Sequence, residues 1–305
     1  MANIIATVWD FDKTLIKGYM QDPLFEDYGV DGRKFWEENN NRIAELKASG
    51  LSVNDDTFYL NQILKYVRNG KFKGLNNKKL LSYGTKQQFY DGVEDLFRCI
   101  SQLSTSVSEY HDEGIVFENY IISSGLKKII EGTSLKQYVK TVWGCEFSEA
   151  INEVSGKLEL SDIAYSIDNT TKTRALFEIN KGVNIPDLNI DVNTAIPQEQ
   201  RRVQFINMVY IADGPSDIPA FSVVNKNKGA TFAVYPKGNL EAMQQVDKMR
   251  KDGRIQMYAE ADYQEGSMAR MWILEKLNSQ ARFIIDNNHK SYQQYGKGTP
   301  QHLLN

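Results

Sequence analysis

The sequence predicts an α/β protein with a Rossmann-like three-layer fold, in which a parallel sheet carries an inserted helical cap. Three apolar runs of strand length, residues 4–9, 116–122 and 208–212, each end in a polar cluster. Stretches with helical periodicity separate these runs, which is typical of βαβ units with right-handed crossovers. Ligand sites of such sheets lie beyond the carboxyl ends of the strands. The polar clusters are therefore expected to meet at one edge of the sheet.

The first apolar run, Ile4 to Trp9, ends at two carboxylates one residue apart, Asp10 and Asp12. Alternate residues of an extended chain point the same way, so both acids are predicted to face a common ligand. Paired carboxylates suit a hard cation such as Mg²⁺, which proteins hold with one or two carboxylates and substrate phosphate oxygens. A solvated strand end is the alternative for this stretch alone, since Asp is common in turns.

Residues 16–88 are predicted to form the helical cap, inserted directly after the first strand. Apolar and aromatic residues recur there at helical spacing over Phe35–Leu46 and again over Phe58–Val67. Residues 1–15 and 89–285 then form the catalytic core. The polar tail, residues 286–305, is expected to be poorly ordered.

The core resumes with an amphipathic helix from Gly92, whose apolar residues recur on one side as far as Tyr110. The second apolar run follows and ends in Ser123, Ser124 and Gly125. The next predicted elements are a helix over 126–131, a strand over 139–147 and a hairpin or irregular connector over 156–167.

The second half of the core begins with a helix that opens around Lys172 and ends near Gly182. Residues 183–202 predict a long loop, because they contain two prolines and five Asn or Asp residues. The third apolar run ends in Asp213-Gly214-Pro215-Ser216-Asp217. A strand over 231–235 and a helix over 268–277 complete the predicted elements.

The composition is that of an ordinary globular protein. The 305 residues include 41% apolar and 25% charged side chains, with a net charge of −3. This balance gives no general electrostatic reason to bind nucleic acid or an anionic membrane. No apolar run approaches the roughly 20 residues of a spanning helix, and the N-terminus lacks a signal-peptide pattern. We therefore expect a cytoplasmic protein without nucleic-acid or membrane partners, whose oligomeric state no pattern indicates.

The cysteines, Cys99 and Cys145, have no metal-binding spacing. Both are interpreted as buried small hydrophobic side chains.

Four short motifs occur in a fixed order along the chain: DxDxT at 10–14, a serine at a strand end, a lysine at a helix start and DGxxD at another strand end. As a set they resemble the four motifs of the haloacid dehalogenase (HAD) superfamily. The resemblance spans residues 4–235. The helical insert after the first motif and the Ser-Ser-Gly of the second resemble the phosphoserine phosphatase-like members most.

The resemblance implies a Mg²⁺-dependent phosphatase that hydrolyses a small phosphorylated metabolite, a phosphomonoester. Asp10 matches the nucleophile of the family, which attacks phosphorus to give an aspartyl-phosphate. Asp12 matches the general acid and base that protonates the leaving alcohol and then activates water. Asp12-Lys13-Thr14 also resembles the start of the DKTGT motif of ion-pumping ATPases. Leu15 and Ile16 break that match, so Asp10 is assigned as the nucleophile.

The remaining motifs match groups that hold phosphate and metal. Ser123 matches the phosphate-binding hydroxyl, aided by backbone N–H groups around Ser124 and Gly125 at a helix N-terminus. Lys172 matches the fixed positive charge of the family. The Mg²⁺ ligands implied by the resemblance are Asp213, Asp10 and the backbone carbonyl of Asp12, with Asp217 as a nearby acid.

Each assignment has a structural alternative. Ser123 is also placed to cap the following helix. Lys172 has rivals in Lys127 and Lys128, and an ordinary surface lysine is its structural alternative. For Asp213 and Asp217 the alternative is that both are turn residues around Gly214-Pro215. Two functional alternatives also stay open. The first is a phosphotransferase or phosphomutase with the same covalent intermediate, and the second is a catalytically idle member that binds a phosphorylated ligand or a protein.

Overall fold

Seven strands in the described part of the chain form a single sheet. The computed structural model describes residues 3–153, 156–183, 185 and 190–296. The strands are Ile4–Trp9 (β1), Val116–Leu126 (β2), Val139–Ile151 (β3), Leu158–Tyr165 (β4), Met208–Ala212 (β5), Ala230–Tyr235 (β6) and Met257–Glu260 (β7). Their order across the sheet is β4-β3-β2-β1-β5-β6-β7.

Helices connect these strands. They are Asp22–Asp27 (α1), Gly32–Ala48 (α2), Tyr59–Arg68 (α3), Asn77–Tyr83 (α4), Val93–Ser106 (α5), Ser108–Asp112 (α6), Lys127–Glu131 (α7), Lys172–Lys181 (α8), Ile218–Lys226 (α9), Leu240–Lys251 (α10) and Met268–Gly296 (α11). No helix of the described residues has both the length and the apolar character that a membrane crossing requires.

β1 lies at the centre of the sheet, parallel to β2 on one side and β5 on the other. Every residue from Ile5 to Trp9 is buried. Because alternate residues of a strand point to opposite faces, both faces of the sheet are covered, as in a three-layer fold. The predicted α/β class is confirmed. Trp9 is in register with Ile121 and Ile211, so the three central strands end at the same edge.

One pair of strands is antiparallel. The connector predicted over 156–167 forms β4, which pairs with the distal half of β3 as a hairpin. β2 and β3 also run further than predicted, to Leu126 and Ile151. Ser123 and Ser124 therefore lie within β2 rather than after it.

The chain after residue 285 begins as a helix. Helix α11 continues to Gly296, the poor order expected of the tail stays a prediction, and 297–305 lie outside the described residues. Apolar side chains at helical spacing, ending with Ile284 and Ile285, are buried along this helix and hold it against the core. Cys99 is only half-buried, whereas Cys145 is buried as predicted.

The predicted insert is helical, with α1 to α4 between β1 and α5. Its own core is aromatic: the ring of Phe35 lies 4.8 Å from Phe25 and 5.3 Å from Tyr66, centroid to centroid. The chain enters and leaves the insert side by side. Lys17 N donates to Gln88 O at 2.9 Å, and Tyr90 N donates to Leu15 O at 2.9 Å. The division into a core and a cap stays a prediction.

Gly92 joins the end of the insert to α5 with a φ of +85°. A Cβ atom at this position would overlap the backbone carbonyl of Tyr263, whereas at Gly70, with a φ of +80°, it would meet nothing within 4 Å. We expect Gly70→Ala to lower the free energy of unfolding by about 1–2 kcal/mol, the cost of the left-handed conformation for a side-chain residue. Gly92→Ala should lower it by a further 1–3 kcal/mol or so, because overlap is added to that cost. Urea denaturation measures both, and equal losses would contradict the close approach.

Candidate active site

Asp10 stands where β1 ends, between the carboxyl ends of β2 and β5. Its backbone N–H continues the sheet by donating to Ile211 O at 2.9 Å. Both side-chain oxygens have donors: Lys172 Nζ lies 2.8 Å from Oδ1 and Thr14 Oγ1 lies 3.0 Å from Oδ2. The carboxylate is buried, with 6% of its residue surface exposed. Its orientation is therefore fixed by two partners from different parts of the chain.

Lys172 is the first residue of α8 and is 1% exposed. Its Nζ also lies 2.7 Å from Asp217 Oδ1. Burial lowers the pKa of Lys172, but Asp10 and Asp217 outweigh burial and raise that pKa above its ordinary value. Lys172 is thus a permanent cation at this edge of the sheet.

The rival lysines have other partners. Lys127 pairs with Glu146 and Lys128 with Glu131, each at 2.9 Å. The alternative that Lys172 is a surface lysine is wrong, because the side chain is buried between two carboxylates.

Asp213 and Asp217 follow β5, the strand that flanks β1 on the side away from β2. Carboxylate oxygens of Asp10, Asp213 and Asp217 lie within 4.8 Å of one another. Asp217 has further donors in Tyr210 OH at 2.5 Å and Ser216 Oγ at 3.0 Å. Three carboxylates against one lysine leave an excess of negative charge, and hard oxygen donors are the ligands that Mg²⁺ prefers. The donor set therefore fits Mg²⁺.

The carboxylates of this cluster disfavour one another's ionised forms. Burial raises the pKa of Asp10, with Lys172 opposing this effect and Asp217 adding to it. Burial, together with the charges of Asp10 and Asp217, raises the pKa of Asp213 to about 7. In the absence of a cation, the cluster thus resists complete ionisation at neutral pH.

Asp12 lies in the turn that leads from β1 to the insert rather than in the carboxylate cluster. Its Oδ1 accepts a hydrogen bond from Met20 N at 3.0 Å. Burial and the neighbouring charge of Asp10 raise the pKa of Asp12 well above its usual value, and the Met20 N–H opposes this shift. The residue between Asp12 and Thr14, Lys13, has a φ of +57°, and the chain turns there into the insert.

Ser123, Ser124 and Gly125 lie at the carboxyl end of β2, where they face residues of the insert. Ser123 Oγ accepts from Gly125 N at 3.0 Å and is buried. It does not cap α7, whose N-cap residue is Leu126 and has no side-chain capping bond. A side chain at Gly125 would overlap Met20. Ser124 O accepts from Tyr59 OH at 2.8 Å, so this segment is covered by residues of the insert.

Several side chains at this edge were not predicted from the sequence. Thr14 and Tyr210 bind Asp10 and Asp217 directly. The hydroxyl of Tyr90 is buried without a hydrogen-bond partner, and burial together with the charge of Asp213 raises the pKa of Tyr90. Tyr59 belongs to α3, far in sequence from the motifs of the site. Among these side chains only Thr14, the threonine of DxDxT, has a sequence pattern that indicates a role at the site. Tyrosines in apolar runs are typical of ordinary core residues.

The comparisons with known proteins identify one relative over nearly the full length. No protein-family model matches the chain. An uncharacterised protein of Borreliella burgdorferi is 36% identical over 288 residues, which cover 90% of this chain and 97% of that protein.

The chain is similar to several solved structures. A HAD family hydrolase from Salmonella enterica subsp. enterica serovar Typhi is similar at a TM-score of 0.50 and 15% identity, over 84% of this chain and 67% of that one. A phosphoserine phosphatase, solved as a phospho-aspartyl intermediate analogue, has a TM-score of 0.47 and 15% identity, over 89% and 98% of the two chains. The similarity to the Salmonella hydrolase shows the HAD fold.

The pKa of Asp213 predicts a pH-dependent stability in metal-free buffer. Its folded-state value of about 7 exceeds the ordinary 3.8, so the folded protein binds this proton more tightly and loses stability as pH rises from about 4 to 7. Asp213→Asn removes the ionisable group. The variant should therefore be more stable than the wild type at pH 8, by roughly 2–4 kcal/mol given about 1.4 kcal/mol per pKa unit, and similar at pH 4.5. Urea denaturation with EDTA measures this difference, with Asp252→Asn as an exposed control. A variant destabilised at pH 8 would contradict the expected sign.

Proposed function

We propose that this chain, which belongs to the same family as the Borreliella burgdorferi protein and has the HAD fold, is a Mg²⁺-dependent phosphatase of small phosphomonoesters. The observation that carries the proposal is the buried contact of Lys172 with Asp10 and Asp217, at 2.8 and 2.7 Å. It fixes a cation beside a carboxylate at the carboxyl edge of a parallel sheet, where such folds bind their ligands.

Asp10 is the nucleophile of the proposed reaction. One of its carboxylate oxygens forms a bond to phosphorus while the bond from phosphorus to the ester oxygen breaks, giving an aspartyl-phosphate. Lys172 and Thr14 hold the carboxylate in one orientation, which lowers the entropic part of the barrier. The charge of Lys172 also reduces repulsion between the carboxylate and the phosphate dianion.

Asp12 transfers the proton in both halves of the reaction. It donates a proton to the departing alkoxide and later accepts one from the water that hydrolyses the aspartyl-phosphate. The raised pKa of Asp12 supports this assignment, because it favours the protonated carboxyl that the first half of the reaction requires as a proton donor. Its position, two residues beyond Asp10 and in contact with Met20 of the insert, supports a role towards a leaving group that enters from the side of the insert.

Asp10, Asp213 and the backbone carbonyl of Asp12 are the groups that would hold Mg²⁺. Asp217 supports them through Lys172 and Tyr210 rather than by contributing a free oxygen. Bound Mg²⁺ supplies positive charge that offsets the carboxylates and polarises the phosphoryl oxygens.

The Ser123 hydroxyl and the backbone N–H of Ser124 are proposed to bind the phosphoryl oxygens, whereas the Gly125 N–H donates to Ser123 Oγ and orients that hydroxyl. Residues 16–88 are proposed to act as a cap that excludes water from this site. Contacts from the insert support this role: Met20 N reaches Asp12, Tyr59 OH reaches Ser124 O, and Asn54 Nδ2 donates to Asp168 Oδ2 at 2.7 Å.

The first test of the proposal uses Asp10→Asn. We expect phosphatase activity towards p-nitrophenyl phosphate to fall to background, because the amide is a poor nucleophile, while the circular dichroism spectrum is retained. Wild-type activity should vanish with EDTA and return with Mg²⁺. Asp252→Asn, an exposed change remote from the site, should behave as the wild type. Near-normal turnover by Asp10→Asn would refute the covalent mechanism.

A second test separates Asp12 from Asp10. Asp12→Asn cannot transfer a proton, so phosphorylation of Asp10 should slow most for substrates with poor leaving groups, and hydrolysis of the intermediate should slow for all. With an activated aryl phosphate the variant should accumulate phospho-enzyme, visible in intact mass as an added ~80 Da, the HPO₃ group of an aspartyl-phosphate. Equal slowing of good and poor leaving groups without a trapped intermediate would limit Asp12 to a metal-binding or structural role.

A further inference from the structure

Gln21 is a buried polar residue at the candidate site that the proposed mechanism does not use. It follows Met20 in the insert and is 3% exposed. Its side-chain oxygen Oε1 is buried and has no hydrogen-bond partner. A buried carbonyl without a donor is costly, and such groups are rare enough to call for a ligand or another explanation.

The surroundings of Gln21 belong to the site. The residue before it, Met20, donates its N–H to Asp12 Oδ1, and its sulfur accepts from Leu126 N beside Gly125. Tyr59, whose hydroxyl faces the Gln21 amide, donates to Ser124 O. Gln21 thus lies where the insert meets both the acid Asp12 and the carboxyl end of β2.

The bonds of Tyr59 fix which end of the amide is unpaired. The one hydrogen of the Tyr59 hydroxyl is used on Ser124 O, so its oxygen is left only to accept. The group of Gln21 that suits this acceptor is the Nε2 amine, a donor. The carbonyl oxygen is therefore the free end, and it calls for a donor that the described residues do not provide.

We propose that Gln21 Oε1 binds an O–H or N–H group of the substrate's leaving alcohol, so that preferred substrates are phosphomonoesters bearing such a donor. The inference rests on the proposed phosphatase function. Met20, the neighbour of Gln21, holds the residue assigned to protonate the leaving oxygen, so a group attached to that oxygen enters beside Gln21. A site built to accept from a substrate donor disfavours analogues that lack it, because its buried acceptor then stays unpaired.

The test compares three-carbon esters that differ only in their donors: propyl phosphate, glycerol 1-phosphate and 3-aminopropyl phosphate. For the wild type with Mg²⁺ we expect kcat/KM for at least one donor-bearing ester to exceed that for propyl phosphate by about tenfold or more, the effect of one buried hydrogen bond. Gln21→Met keeps the length of the side chain but has no acceptor. In this variant the ratio should fall towards one.

Two further variants serve as controls. Gln21→Glu keeps an acceptor and adds charge, so a preference for 3-aminopropyl phosphate should persist. Gln62→Met removes another buried glutamine of the insert, one whose Nε2 is bonded to Glu38 at 3.0 Å, and should leave the ratio as in the wild type.

The outcomes separate this inference from the proposed function. Hydrolysis of all three esters with equal efficiency, or an unchanged ratio in Gln21→Met, would overturn the role of Gln21 while leaving the phosphatase function in place. A ratio that falls equally in Gln62→Met would also overturn it, since the effect would then be structural. Hydrolysis of p-nitrophenyl phosphate but of none of the three esters would also overturn the role of Gln21. Failure of the wild type to hydrolyse p-nitrophenyl phosphate as well as the three esters would overturn the proposed function itself.

Discussion

The ion pairs of Lys172 are the interaction on which this edge of the molecule depends. They join the start of α8 to the end of β1 and to the turn after β5. Along the chain, Lys172 is 162 residues from Asp10 and 45 residues from Asp217. An isolated ion is costly to bury, and breaking a buried pair destabilises a protein strongly. Lys172 is fully buried here with two carboxylates as partners. The three segments must therefore reach their native positions together for the charges to be offset.

The same arrangement leaves a deficit of positive charge that bears on function. Asp217 is satisfied by Lys172, Tyr210 and Ser216, whereas the structure gives Asp213 no comparable set of donors. The acidic cluster is thus divided into two carboxylates that pair with the lysine, Asp10 and Asp217, and a third, Asp213, whose charge Lys172 and Lys13 offset only in part. Stability alone would favour fewer acids at this edge. The third carboxylate is understandable if a cation completes the site.

The sequence predicts the central features well because strong local patterns determine them. Apolar runs in β1 and β5 are buried on both faces, and Asp10 and Asp213 directly follow these two strands, which parallel pairing places side by side. Lys172 opens the helix after β4, and its motif context rather than strand topology predicts its place at the site. β7 and α10 lack such patterns, since a four-residue strand and a mostly polar helix have little periodicity. The contacts of Tyr59 and Gln21 with this edge depend on how the insert folds back, and no local pattern encodes that.

Asp12 connects the two halves of the site. Its backbone lies two residues beyond the nucleophile, and its side chain holds the first residues of the insert through Met20 N. Burial and the charge of Asp10 favour the protonated carboxyl, whereas the Met20 N–H favours the carboxylate. The position of the insert therefore enters directly into the acidity of the residue proposed to transfer protons. If the insert moves as a cap, opening would expose Asp12, which lowers its pKa, and would remove the Met20 hydrogen bond, which raises it. Burial is the larger of the two effects, so opening would lower the pKa of Asp12 and closure would raise it. Substrate enclosure and proton transfer would then be linked through the burial of a single carboxyl group.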